Sequence, residues 1–292
     1  MKHFLKDIVL TFAIAIGMVA AALPALQPYA RNIENTSTYK RDYLEQNRLA
    51  IATLILGHSH TVVGFDASIL DSAFNAALAA RISYYDAAIV EQYVPQMPNL
   101  KAVVYPMACE YEAGAALLDN KSRFENIFLY KNYWNIPPPI VFYNSKNALE
   151  QLHYYIGNIL HFGFYTQETI CDSLGLISMG ESIGNGNNVY EAPGCEPMVT
   201  ESLLKMAKVC NDHGVRLIVV TFPANSTYRA SHTDCDSRMQ KVIDHVAGQY
   251  PVEYHCYLND KQFGDSLFSD QTHLNHRGAT AFAQRIKQDF GL

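Results

Sequence analysis

Short, continuous apolar runs that alternate with helical patterns are the feature that most constrains how this chain can fold. Strands buried on both faces of a parallel sheet have this apolar character, and the helices between them form the crossovers. Strands are predicted at residues 51–56, 72–76 (a weaker pattern), 102–107, 216–222 and 252–257. Helices are predicted at residues 82–93, 197–213, 236–249 and 275–290. The predicted fold is α/β, a doubly wound, flavodoxin-like parallel sheet of about five strands flanked by helices.

One long segment interrupts this alternation. Residues 111–196 include twelve aromatic residues between Phe124 and Tyr165, a Pro run at 137–139 and the loop-like sequence GESIGNGNN. We interpret the segment as a largely helical insertion or cap over the site, whose aromatic residues either pack a core or contact a ligand. The rest of the chain is predicted to comprise an anchor or signal segment (residues 1–30), a linker or short helix (31–50) and the main domain (51–292), which contains the insertion.

The N-terminus predicts contact with a membrane. Lys2 and Lys6 precede a stretch, residues 8–30, without a charged residue, whose most apolar part (8–26) could cross most of a bilayer core of roughly 30 Å. Positive charge before the stretch favours an internal N-terminus and an exported domain, on the periplasmic or extracellular side. Three readings stay open: an uncleaved transmembrane helix, a signal peptide cleaved near residues 20–25, and a buried helix of a soluble protein.

Composition excludes some classes of function. The net charge of −6 offers no basic surface for nucleic acid. Six cysteines lack the CxxC spacing of metal sites, although some could form disulfides in an exported protein. We predict no cofactor and no metal.

Two motifs could carry chemistry. Ser59 follows the first predicted strand in the sequence GHSH, where a serine hydroxyl lies exposed at the carboxyl end of the sheet. Asp270 and His273 precede the last predicted helix, and a carboxylate at this spacing can orient an imidazole that acts as a base. Each motif also has a structural reading: the serine or the aspartate as a helix cap, and the histidine as a surface residue.

Together the motifs resemble blocks I and V of the SGNH/GDSL hydrolases. The sequence D-x-x-H-L-N-x-x-G-A is similar to the envelope-associated branch, which includes alginate O-acetylation proteins and the D-alanyl transfer protein of teichoic acids. The similarity covers most of residues 51–110 and 197–290 and little of the insertion. It implies that Ser59 is the nucleophile, His273 the base and Asp270 the partner that orients the base.

The chain also departs from the family pattern. The oxyanion glycine of block II falls near Ala80 when Asn75 is aligned with the family's asparagine, and Glu110 stands near the place of the block III asparagine. The resemblance therefore implies oxyanion donors at Ser59 and Ala80, with Glu110 a doubtful third, because an ionised carboxylate cannot donate a hydrogen bond.

Three residues near the nucleophile are candidate substrate contacts: His58, His60 and Asn75. His58 stands where the family usually has Asp, and His60 could equally be a plain residue at the start of a helix. Two histidines at this spacing without a third ligand do not make a metal site. His276 is expected to be exposed.

We interpret the chain as a serine esterase or O-acyltransferase that acts on acyl, most simply acetyl, esters of an envelope glycan or a lipid-linked substrate. The triad residues do not separate hydrolysis from transfer. The alternative is a catalytically inactive SGNH-like scaffold that binds glycan or a membrane acyltransferase partner.

Overall fold

A parallel sheet of five strands forms the centre of the domain. The computed structural model describes residues 2–31, 34–79, 81–107, 129–137, 139, 171–180 and 196–292. The strands are β1 (Thr53–Ile55), β2 (Ala73–Asn75), β3 (Ala102–Pro106), β4 (Arg216–Thr221) and β5 (Glu253–Cys256). Their order across the sheet is β2-β1-β3-β4-β5, and all neighbouring pairs are parallel. The prediction of a five-stranded parallel sheet flanked by helices is confirmed.

Helices cover both faces of the sheet. They are α1 (Lys2–Arg31), α2 (Thr36–Asn47), α3 (Ser59–Gly64), α4 (Ser83–Tyr93), α5 (Glu196–Asp212), α6 (Ser226–Ser231), α7 (Cys235–Ala247) and α8 (His276–Phe290). Short 3-10 turns lie at Ala67–Ile69, Val94–Gln96 and Asp265–Leu267.

Alternate strand residues face two separate apolar clusters, which is why the strands are apolar without interruption. Leu54 and Val103 face the larger cluster, which includes residues of α4, α5 and α7. Ile55 and Val104 face the second cluster, to which α8 contributes Phe282. Parallel strands buried on both faces need this pattern, because each face must remove apolar surface from water.

Residues expected to form a linker or short helix form α2, which is packed into the domain. Asn35 caps the helix by accepting from the amides of Ser37 and Thr38. The polar face is buried because its groups find partners: Lys40 Nζ donates to the Ala77 carbonyl at 2.6 Å. Burial lowers the pKa of Lys40 to about 7, because the charged amine loses its hydration there.

The N-terminal segment forms the single helix α1. Its side chains are described for residues 4–18, and no helix in the described part of the chain is long and apolar enough to cross a membrane. The transmembrane part of the fold prediction is therefore not shown.

Most of the predicted insertion, residues 111–196, lies outside the described residues. A π-helical turn at Leu129–Tyr133 and the segment 171–180 are its described parts, together with the residues around Trp134 and the first residue of α5. Its predicted helical character stays a prediction.

Candidate active site

The carboxyl ends of the strands bring the two predicted motifs to one edge of the sheet. Ser59 is the first residue of α3, four residues after the end of β1. Asp270 and His273 lie in the loop between β5 and α8, closed by a hydrogen bond of 2.8 Å from the Ser269 amide to the His273 carbonyl. The loop reaches back across the sheet, so that residues far apart in sequence meet above the carboxyl edge, where α/β sheets place their sites.

Ser59, His273 and Asp270 form a continuous hydrogen-bonded chain. Ser59 Oγ lies 2.9 Å from His273 Nε2, and His273 Nδ1 lies 2.8 Å from Asp270 Oδ2. Because an ionised carboxylate only accepts hydrogen bonds, His273 Nδ1 donates to Asp270, and Nε2 is left to accept from the Ser59 hydroxyl. This arrangement gives the serine a proton acceptor within hydrogen-bond distance.

The Asp270 carboxylate is held ionised by its surroundings. Its Oδ1 atom accepts from the amides of Thr272 at 2.8 Å and His273 at 2.7 Å. Burial opposes ionisation, but the hydrogen bond from the His273 ring and these two amides outweigh it and lower the pKa of Asp270 to about 2. A negative charge beside Nδ1 can therefore stabilise a protonated imidazole at neutral pH.

The turn before the nucleophile depends on Gly57. Its φ of +115° lies in a region that side chains rarely adopt, and an added Cβ would lie 2.2 Å from Pro106 Cγ. Only glycine allows this close approach of the turn after β1 to Pro106 at the end of β3. The Gly57 amide donates to Asp86 Oδ1 at 3.1 Å, so that a side chain from α4 holds the turn.

Asp86 belongs to a buried pair with Arg81. Arg81 Nη1 donates to Asp86 Oδ1 at 3.0 Å, and both side chains have no exposed surface. Burial raises the pKa of Asp86 above its ordinary value, while the Arg81 guanidinium and the Gly57 amide act in the opposite direction and favour the charged carboxylate. Arg81 Nε donates to Tyr130 Oη at 2.9 Å, and the guanidinium lies 5.4 Å from the Trp134 ring centroid. This network links the nucleophile's turn to the π-helical turn of the insertion.

The segment 171–180 connects α3 to the loop that carries the base. The Ile177 amide donates to the Val62 carbonyl at 3.0 Å. At the other end of the segment, the Ser269 hydroxyl donates to the Gly180 carbonyl at 2.6 Å. This part of the insertion is therefore hydrogen-bonded both to α3, which begins at Ser59, and to the loop that carries Asp270 and His273.

His58 and His60 lie beside the triad and are largely buried, with 8% and 7% of their surfaces exposed. The His60 ring is stacked on the ring of His273, with 4.6 Å between centroids and 9° between planes. The Nδ1 atoms of His58 and His60 lie 2.9 Å apart. Little of either surface is open to a substrate, so these contacts give no support to the prediction that the two residues bind it.

Asn75 is occupied by the backbone. Its amide nitrogen donates to the carbonyls of Thr61 at 2.8 Å and Phe65 at 3.0 Å, and its Oδ1 accepts from the Ala77 amide. The side chain is fully buried and fixes the end of β2 against α3. These contacts favour a structural role over the predicted substrate contact.

Two of the predicted oxyanion residues, Ala80 and Glu110, lie outside the described residues. Their assignment stays a prediction, as does that of the Ser59 amide. His276 is exposed on α8. Within the described ranges, no group of three or more His, Cys, Asp or Glu side chains is arranged to hold a metal ion.

Comparison with known proteins adds fold similarities of low score. No protein-family model matches the chain, and no curated protein matches it. A candidate acylhydrolase from Bacteroides fragilis matches with a TM-score of 0.44 and 12% identity, covering 86% of this chain and 95% of its own. A GDSL-like lipase from Bacteroides thetaiotaomicron matches with a TM-score of 0.42 and 11% identity, covering 88% of this chain and 98% of its own. A candidate platelet activating factor from Streptococcus pneumoniae matches with a TM-score of 0.39 and 11% identity, covering 95% of this chain and 98% of its own. Similarities below a TM-score of 0.5 support no inference about the function of this chain.

Three contributors to the site were missed by the sequence analysis: Arg81, Asp86 and the stacking role of His60. Asp86 does carry a signal, because it is a charged residue inside the otherwise uncharged run ISYYDAAIV, where a buried and paired carboxylate could be suspected. The stacking of His60 has no such signal, since it depends on how a loop more than two hundred residues away folds back.

Proposed function

We propose that this chain is a serine hydrolase or O-acyltransferase of the SGNH/GDSL type, with Ser59 as the nucleophile. The observation that carries the proposal is the hydrogen-bonded chain from Ser59 through His273 to Asp270 at the carboxyl edge of a parallel sheet. A serine hydroxyl is a poor nucleophile by itself, and a neutral imidazole within hydrogen-bond distance supplies the base that it needs.

The reaction follows from these contacts. Ser59 Oγ attacks the carbonyl carbon of an ester while its proton passes to His273 Nε2, and Asp270 stabilises the resulting imidazolium. When the tetrahedral intermediate collapses, the bond to the leaving alkoxide breaks and His273 returns the proton to that oxygen. The acyl group then remains on Ser59. Water or a second hydroxyl, deprotonated by His273, attacks the acyl-enzyme and releases the serine. In the intermediate, the Ser59 amide is the proposed oxyanion donor.

Acyl esters of an envelope glycan or of a lipid-linked precursor are the proposed substrates. Support comes from the resemblance of the motif around Asp270 and His273 to the envelope-associated branch. Hydrolysis and transfer use the same three residues, so the two are distinguished by the product. Release of acetate from an O-acetylated polysaccharide indicates an esterase, and an acetylated acceptor sugar indicates a transferase.

The test of catalysis compares wild type with Ser59→Ala and with Ser237→Ala, an exposed serine on α7. We expect Ser59→Ala to abolish labelling by a fluorophosphonate and to lower acetyl-ester hydrolysis by on the order of 10³-fold or more. Ser237→Ala should behave as wild type. Equal labelling of all three proteins contradicts Ser59 as the nucleophile, and labelling of none of them leaves the scaffold that binds glycan or an acyltransferase partner.

We also propose that the domain is exported and held at the membrane by α1. Lys2 and Lys6 precede the apolar run, and large apolar side chains of α1 such as Phe4 and Phe12 are exposed. Cys235 is disulfide-bonded, and disulfides persist mainly in oxidising compartments outside the cytoplasm.

This location is tested by adding protease to intact cells, or to cells whose outer membrane alone has been permeabilised. We expect the domain to be digested while cytoplasmic marker proteins survive, and sequencing of the mature N-terminus distinguishes an anchor from a cleaved signal. Protection of the domain until the cytoplasmic membrane is broken contradicts export.

A further inference from the structure

The ring of the base is held on one face by another histidine. The planes of His60 and His273 are nearly parallel, at 9°, and their centroids are 4.6 Å apart. His60 is the residue after Ser59 on α3. The same turn therefore supplies the nucleophile and a flat surface against which the base rests.

His58 fixes the orientation of the His60 ring. The two Nδ1 atoms are 2.9 Å apart, and the rings meet edge to face with an angle of 81° between their planes. At this distance one Nδ1 donates and the other accepts, since two protonated nitrogens would repel each other. The Phe222 ring lies 6.5 Å from the His60 ring on the side of β4. His60 therefore contacts one residue just before α3 and one just after β4.

His60 is neutral in this environment. Burial lowers the pKa of His60 well below its ordinary value, and the neighbouring charges of His58 and His273 act in the same direction. Among the described residues, the titratable groups that face His60 are these two histidines, with Asp270 beyond the ring of His273. A neutral imidazole can lie against the imidazolium that forms during catalysis without repelling it, because only one of the two rings is charged.

We propose that His60 is a positioning residue, whose ring stacks on His273 and keeps Nε2 directed at the Ser59 hydroxyl, with His58 fixing His60 in turn. The inference rests on the proposed function. Asp270 fixes the Nδ1 edge of the base, and the stack with His60 fixes the plane of the ring. Both restraints are needed because His273 is part-exposed, with 23% of its side chain open to solvent.

The test uses two substitutions of His60 in the full chain. His60→Phe keeps a flat ring for the stack, whereas His60→Leu keeps apolar bulk without a ring. We expect His60→Leu to lower kcat for an acetyl ester by about 10- to 100-fold with KM within about twofold, because a misoriented base slows proton transfer and not binding. His60→Phe should recover most of the kcat. The rate of labelling by a fluorophosphonate should fall and recover in parallel.

His232 provides a matched control. It is also a buried histidine stacked on an aromatic ring, that of Tyr228, at 3.9 Å between centroids and 6° between planes, on a different element. His232→Leu should leave kcat unchanged. If His60→Leu does not fold, His60→Gln takes its place with the same expected fall in kcat.

Three outcomes overturn the inference: kcat of His60→Leu within about twofold of wild type, equal losses in the Phe and Leu variants, or a change confined to KM. The last outcome would instead make His60 a substrate contact. The Ser59→Ala variant separates this failure from that of the proposed function. If Ser59→Ala is inactive while His60→Leu is normal, only the role of His60 fails.

Discussion

Removing the Asp86 carboxylate should destabilise the protein far more than removing a surface charge. Asp86→Ala leaves the guanidinium of Arg81 without its partner at a position where neither side chain has any exposed surface. Breaking such a pair costs about 3–5 kcal/mol, because the remaining charge stays buried without compensation. The Gly57 amide also loses its acceptor, which adds roughly 1 kcal/mol or more.

Two variants separate the charge from the hydrogen bond. Asp86→Asn can still accept from the Gly57 amide and lacks the charge, so its loss of stability should be smaller than that of Asp86→Ala. The double variant Arg81→Met with Asp86→Leu removes both charges, and we expect it to be more stable than Asp86→Ala, since no buried charge remains unpaired.

Thermal unfolding of the full chain in detergent, followed by circular dichroism, measures these differences. A loss of about 4 kcal/mol corresponds to a fall in Tm of roughly 10 °C for a domain of this size. The control is Glu253→Ala, which breaks an ion pair with Arg216 whose side chains are 40% and 43% exposed. That pair should contribute about 1 kcal/mol or less. If Asp86→Ala costs no more than Glu253→Ala, our account of the buried pair is wrong.

Two further predictions concern the turn and the triad. Gly57→Ala should lower the free energy of unfolding by roughly several kcal/mol, because the new Cβ would lie 2.2 Å from the Pro106 ring. Gly264→Ala is the control: its Cβ meets nothing within 4 Å, so this variant should unfold as wild type does. Asp270 has a folded pKa of about 2, below its ordinary value of 3.8, so its contribution is present above about pH 4 and lost as the pH falls through 2. Acid unfolding should show a contribution of about 2 kcal/mol that is missing in Asp270→Asn, and the same variant should lower kcat by about 10³- to 10⁴-fold through loss of the His273 tautomer. An identical acid profile in the two proteins would show that Asp270 is not held ionised as described.

The sheet could be predicted from the sequence because its cause is local. A strand buried on both faces must be apolar at every position, and runs such as residues 216–222 have no other simple explanation. The approach of Ser59 to His273 could be expected for a related reason, since the carboxyl ends of parallel strands lie at one edge.

The polar parts of the structure could not be predicted in this way. Charged residues are ordinarily exposed, and nothing in the local sequence says that Lys40 or Arg81 finds a buried partner. Lys40 donates to the carbonyl of Ala77, 37 residues away, and Arg81 donates to the hydroxyl of Tyr130, 49 residues away. Such contacts depend on how separate elements pack, which a single sequence does not express.

The distance along the chain between the nucleophile and its base has a consequence for biosynthesis. Ser59 and His273 are 214 residues apart, and the loop that carries the base lies directly before α8. A chain made from its N-terminus therefore holds a serine without a base until the 214 residues from Ser59 to His273 have been synthesised. Contacts of such long range also form late in folding, because closing a large loop costs entropy before the contact is gained. A nascent chain, or one truncated before His273, should therefore lack a reactive serine, and we expect reactivity only once the loop between β5 and α8 has packed beside Ser59.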